Sequence, residues 1–189
     1  IHGNEPGGYF TAAILAQHYQ IYSGNLWIVP NLNRDSIQMN ARGLNGDMNR
    51  KFAHLDKEDK DYETIKNIKN IITSKEVSIV LNLHDGHGFY RENYENTIFN
   101  ANAWGQTFVI DQNKIETEPT YCELNKIASH VKKELNTKLF EKHHIFDVRN
   151  TQTKFHDESM KHSLTYFAVT HNKPAFAIET SKSLETLSQ

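Results

Sequence analysis

Val77-Ser-Ile-Val-Leu-Asn-Leu-His84 is an apolar β-rich run that ends in the polar string Asp85-Gly86-His87-Gly88. A strand whose last residue is ionisable, followed by glycines that let backbone or ligand approach closely, places a functional group at a sheet edge. A second run, Pro174-Ala-Phe-Ala-Ile178, leads in the same way into Glu179. Leu26-Trp27-Ile28-Val29, stopped by Pro30, Thr107 to Ile110 and His144 to Val148 read as further strands. Between them lie helical patterns. Tyr62 to Ile72 carries a stripe at 62, 65, 68, 71 and 72, residues 119–136 form a longer helix, and Leu164 to Val169 a short one. Pro6 opens a first helix whose apolar face runs Tyr9, Phe10, Ala12, Ala13, Ile14 and Leu15. Residues 31–56, polar and rich in Asn and Arg, read as a long loop. Alternating strands and helices specify an α/β fold with a sheet flanked by helices.

The chain has 189 residues, enough for one domain with a closed core. Hydrophobic residues make up 38% and charged residues 23%, a globular rather than disordered composition. No apolar run nears the ~20 residues of a membrane span. A net charge of −2 leaves no electrostatic footprint for nucleic acid. One cysteine, Cys122, excludes an internal disulfide framework and a cysteine-based zinc finger. Eleven histidines are many for this length, and at least seven are expected at the surface.

His2-Gly3-Asn4-Glu5 stands at the entrance of the first helix, where an HxxE pair can turn both side chains to one point. Alone it is uninformative. With 11 His and 14 Glu in the chain, about one such pair arises by chance. Two His and one Glu with an open fourth position is a catalytic zinc set, and His2, Glu5 and His84 supply it. His87 stays open as a competing ligand. Glu179, costly to bury without a task, suits a general base for a water that the metal acidifies. Arg42, Asn49 and Arg50 lie in a glycine-punctuated loop and offer donors matched to a substrate carboxylate.

In order, His2/Glu5, Arg42, Asp47-Met48-Asn49-Arg50, His84 and Glu179 resemble the zinc carboxypeptidases of the carboxypeptidase A type. The segments HGNEPGGYFTA (2–12), RGLNGDMNRKF (42–52), LNLHDGHGFYR (81–91) and SLTYFAVTHNKPAFAIETSK (163–182) are similar to the periplasmic peptidoglycan D,L-carboxypeptidases that set helical cell shape. That resemblance implies a mixed sheet flanked by helices in a zinc carboxypeptidase-like (phosphorylase/hydrolase-like) fold, with residues 1–189 its catalytic domain. The chain is expected to lack the fold's first strands and to be a slice of a longer protein.

By resemblance, His2, Glu5 and His84 hold one zinc ion, and Glu179 deprotonates the water and protonates the leaving amine. Arg42 stabilises the oxyanion, and Asn49 and Arg50 grip the terminal carboxylate. The implied substrate is the stem tripeptide L-Ala–γ-D-Glu–meso-diaminopimelate, in the periplasm. Some members of the subgroup carry Gln where this chain has His2. The family's mobile Tyr is missing from His156 to His162, and Tyr166 is read as core. Thr165, in the region lining the side-chain pocket, is a candidate for a polar substrate group. Two other functions stay open: an N-acyl amino acid deacylase of the aspartoacylase or succinylglutamate desuccinylase type, and an inactive wall-binding module.

Overall fold

The computed structural model describes residues 1–116, 122–156 and 158–184. Among the described residues six strands form: β1 Val80–Gly86, β2 Phe89–Tyr90, β3 Phe99–Asn100, β4 Thr107–Ile110, β5 Asp147–Asn150 and β6 Ala175–Ser181. Six helices accompany them: α1 Pro6–His18, α2 Arg34–Gln38, α3 Tyr62–Thr73, α4 Leu124–Asn136, α5 Thr153–His156 and α6 Leu164–Thr170. The main sheet is mixed, in the order β1-β6-β4-β5. β6 runs parallel to β1 and antiparallel to β4, while β4 and β5 are parallel. β2 and β3 form a separate small sheet. The α/β class and the helix-flanked mixed sheet expected from sequence are what the chain adopts.

The parallel register of β1 and β6 pairs His84 with Glu179. Directly paired residues point to the same face of a sheet, so this one register sets the two groups side by side. Each lies two residues before the end of its strand rather than at it, because the pairing continues to Gly86 and Ser181. The apolar core lies under α3, α4 and α6, with Phe52, Ile65, Ile72, Phe108, Ile110, Leu124, Phe167 and Phe176 in one cluster. α6 begins at Ser163, whose hydroxyl accepts the Tyr166 N–H.

α1 docks by its small residues. Gly8 and Ala12 are buried, whereas Phe10 and Ile14 of the expected apolar face are exposed. A Cβ on Gly8 would stand 2.7 Å from the Leu83 carbonyl oxygen, so the helix lies directly against the β1 backbone. Gly7 is tighter still. Its N–H donates to Asp85 Oδ2 at 2.7 Å, and Thr180 donates to the other oxygen of the same carboxylate.

Other expected boundaries and elements also change, each for a physical reason. β1 starts at Val80 rather than Val77, because the Val77 N–H closes a turn onto the Ser74 carbonyl and Lys173 Nζ donates to the carbonyls of Ser74 and Val77. β5 starts at Asp147 rather than His144, because the Asn136 side chain takes both backbone groups of Phe146. Leu26–Val29 forms no strand. No described strand lies beside it, and Leu26, Trp27 and Val29 are exposed. The 31–56 loop contains α2 and a 3-10 turn over Met48–Arg50, both built round polar anchors. The fully buried Ser36 accepts the Leu44 N–H, and Asp47 accepts the Asn49 N–H. Part of the helix expected over 119–136, residues 119–121, lies outside the described residues.

Gly7→Ala is expected to destabilise the protein by about 1–3 kcal/mol, since overpacking at a rigid contact forces backbone shifts. The added methyl would stand 2.1 Å from Asp85 Oδ1. A fall in the midpoint of urea denaturation checks this.

Candidate metal centre

Glu5 stands at the N-cap of α1 but makes no side-chain cap there. Its carboxylate turns into the protein instead, where the residue is 3% exposed. Oε1 faces His2 Nδ1 at 2.8 Å and accepts from Arg42 Nη1 at 3.0 Å. Oε2 faces His84 Nδ1 at 2.7 Å and accepts the Asp85 N–H at 3.3 Å. Burial alone would push the Glu5 carboxyl upward, but the hydrogen bonds from His2 and His84 outweigh it and hold the group well below the usual carboxylate range.

One nitrogen from each ring thus converges on one buried carboxylate, and the ligand atoms of His2, Glu5 and His84 all lie within 4.8 Å of one another. The chemistry of this donor set fits a divalent cation. The outer atoms support it. His2 Nε2 faces Asp47 Oδ1 at 2.9 Å, and Asp47 Oδ2 accepts from Arg42 Nε at 2.8 Å. A carboxylate behind a ligating imidazole fixes its orientation and raises its basicity. Asp47 keeps its charge despite burial, because His2 and Arg42 hydrogen-bond to it. Burial pushes His84 down to about 4 against the opposing pull of Glu5, so its ring is neutral at pH 7, the form a metal binds. Of the eleven histidines, only His2 and His84 are buried.

A cavity of about 600 Å³ opens above the three residues. Glu179, Arg42, Asn49, Arg50 and Thr165 all line it, so the folded chain brings every sequence-predicted site residue to one place. Glu179 rises to about 8, first through burial and second through the nearby Glu5 charge, with Arg42 opposing. Asn49 is partly committed. Its Oδ1 accepts the Leu164 N–H, and its Nδ2 lies 3.5 Å from His84 Nε2, which leaves one amide N–H for a ligand. Arg50 donates Nη1 to the Asn49 carbonyl at 3.1 Å. His87, left open as a ligand, is not in the cluster. It stands exposed beyond Gly86, past the end of the ligand-bearing face, and lines the cavity mouth. Tyr166 does not line the cavity, whereas Met160 of the 156–162 stretch does.

Sequence reasoning passed over Asp47 as the His2 partner, Asp85 as the anchor of α1, and Lys182 and Trp104 in the cavity wall. Asp47 and Asp85 had a local signal, since each directly adjoins a predicted site segment. Trp104 had none.

Over residues 1–189 the chain matches the family described as the catalytic region of the carboxypeptidase controlling helical cell shape. It belongs to that family. No curated protein sequence matches it. Among solved structures it is similar to Helicobacter pylori Csd4, a D,L-carboxypeptidase, in its mDAP-bound form, at 39% identity and a TM-score of 0.94. The tripeptide-bound form of Csd4 matches with the same two values. A Csd4 variant with one Gln changed to His matches at 40% identity and a TM-score of 0.94. In each case 97% of this chain is covered and 44% of the other, so the chain spans less than half the length of these relatives. As a member of this family the chain carries a peptidase fold, and His2, Glu5 and His84 are its candidate metal ligands. Among the described residues no helix is long and apolar enough to cross a membrane.

Asp47→Ala is expected to weaken metal affinity by about 10–100-fold, the usual effect of losing a carboxylate behind a ligating His. Competition with a chromophoric chelator measures it. His84→Ala should abolish stoichiometric binding in the same assay.

Titration gives a second expectation. A carboxyl raised to about 8 in the folded state favours folding below the unfolded value of 4.5, and that contribution is lost as pH rises through 8. In the metal-free protein, Glu179→Gln should therefore gain stability relative to the parent between pH 5 and pH 8, read as a widening difference in melting temperature.

Proposed function

We propose that this chain is the catalytic domain of a zinc-dependent D,L-carboxypeptidase, which removes terminal meso-diaminopimelate from the peptidoglycan tripeptide L-Ala–γ-D-Glu–meso-diaminopimelate in the periplasm. Such trimming leaves a dipeptide stem and acts on cell shape. The reading is supported by family membership and by the ligands named for Csd4, mDAP and a tripeptide. The observation that carries it is the in-register pairing of His84 with Glu179, which sets a recessed carboxylate beside the His2–Glu5–His84 cluster in a cavity bearing Arg42 and Arg50.

Zinc bound by His2, Glu5 and His84 supplies a Lewis acid and lowers the pKa of water at the site. Glu179 takes the proton of the attacking water and returns it to the nitrogen of the departing residue, acting first as base and then as acid. Arg42 donates to the oxygen that gains charge at the scissile carbonyl. It is oriented for this by Glu5 and Asp47, which occupy its Nη1 and Nε. Arg50 and the Asn49 amide hold the terminal carboxylate, which confines cleavage to the last peptide bond. Thr165, with its hydroxyl 3.2 Å from Ser163 Oγ, faces the same cavity and suits a polar end of the substrate side chain.

Mass spectrometry of the tripeptide after incubation with the zinc-loaded full-length protein tests the reading. Loss of one diaminopimelate is expected. Glu179→Gln should lower kcat by about 10²–10⁴-fold while zinc stays bound, the range for removal of a general base. Turnover unchanged in that variant overturns the role of Glu179. An untouched tripeptide overturns the activity and turns attention to N-acyl amino acids or simple wall binding.

A further inference from the structure

Arg149 lies on β5 opposite Val109 of β4, a cavity-lining residue, and therefore projects on the cavity side of the sheet. It does not line the cavity itself. Its guanidinium carbon stands 3.9 Å from the ring centroid of Trp104 and 5.3 Å from that of Tyr90, and Nη1 donates to the Ala103 carbonyl at 2.8 Å. Trp104 is the aromatic wall of the cavity. Its backbone is pinned independently of Arg149. The Trp104 N–H donates to the His87 carbonyl at 3.0 Å, and a Cβ on Gly86 would come within 2.5 Å of Trp104 Cβ. The base of Trp104 thus rests on the end of β1, two residues past His84, while its ring is held by a stacked cation.

We propose that Arg149 is a positioning residue for substrate recognition, acting through Trp104. The proposal rests on the carboxypeptidase reading. Arg42, Arg50 and Lys182 supply the cationic groups of the cavity, and Asn100 and Asn102 add polar lining. Trp104 adds a flat apolar surface that suits the aliphatic chain of a substrate otherwise recognised by its charges. An indole ring in a cavity wall has a free χ rotation unless something fixes it. A guanidinium does so on its face while its N–H anchors the preceding carbonyl, two tasks that one ammonium group does not combine.

The test uses the zinc-loaded full-length protein in a Trp27→Phe background. Trp27 is exposed and remote from the cavity lining, so within residues 1–189 Trp104 is then the sole tryptophan. Arg149→Met keeps length and removes the charge. It is expected to red-shift Trp104 emission, to diminish the emission change on adding tripeptide, and to raise KM about tenfold with kcat within about twofold. Arg149→Lys should recover KM only in part, and it carries the same test if the Met variant does not fold. Unchanged emission and KM in both variants, with the parent active, overturns the proposal alone. So does a fall in kcat with KM unchanged, or full recovery by Lys. A parent protein that leaves the tripeptide intact overturns the activity reading, and this proposal with it.

Discussion

A single buried carboxylate, Glu5, organises this protein. It accepts from a guanidinium and a backbone amide and faces two imidazoles, and these partners come from three separate parts of the chain. A buried charge of this kind is tolerable only when its partners are held in place. The surrounding architecture does that. α1 is drawn onto β1 by glycines that leave no room for side chains, Asp85 fastens its first turn, and Asp47 holds both His2 and Arg42 from behind. These restraints are preorganisation: the three candidate metal-ligating groups are gathered by the chain's own hydrogen bonds.

The sheet adds what the local cluster cannot. Because β1 and β6 are parallel and in register, His84 and Glu179 share a face without any hydrogen bond between them. A slip of one residue would turn Glu179 to the opposite face. Register is secured on both sides of the pair. Val80 N–H donates to the Pro174 carbonyl at one end, and Lys182 N–H to the Gly86 carbonyl at the other. The glycine-bearing segment after His84 is further sewn to β6 by Ser181 and Ser183, which bond the carbonyl and N–H of Gly88.

Much of this was legible in the amino-acid sequence because it is locally encoded. The helix entrance after HxxE, the strands that carry His84 and Glu179, and the striped helix at 62–72 each announce themselves by pattern. What was not legible depends on partners distant in sequence. Whether Leu26–Val29 forms a strand is decided by a neighbouring strand, not by its own β-branched content. The start of β5 is decided by Asn136, ten residues upstream of the Phe146 peptide it captures. α2 has almost no apolar content, and its buried anchor, Ser36, reads from sequence as a loop residue. Arg149 and Trp104 meet across two different strands and a loop, with nothing in either neighbourhood to pair them.

Charge explains why two carboxylates can share this cavity and do different work. Glu5 has donors on both oxygens and stays ionised, while Glu179 has none of them and lies within the field of Glu5, so it retains its proton to about 8. Two like groups with pKa values driven apart by their surroundings suit separate roles, and in the proposed mechanism one is a ligand and the other a proton carrier. The metal-free arrangement leaves the proton carrier loaded at neutral pH. A divalent cation held by the candidate ligands His2, Glu5 and His84 would reverse the sign of the local field and favour the ionised form of Glu179, the state that its proposed role as general base needs.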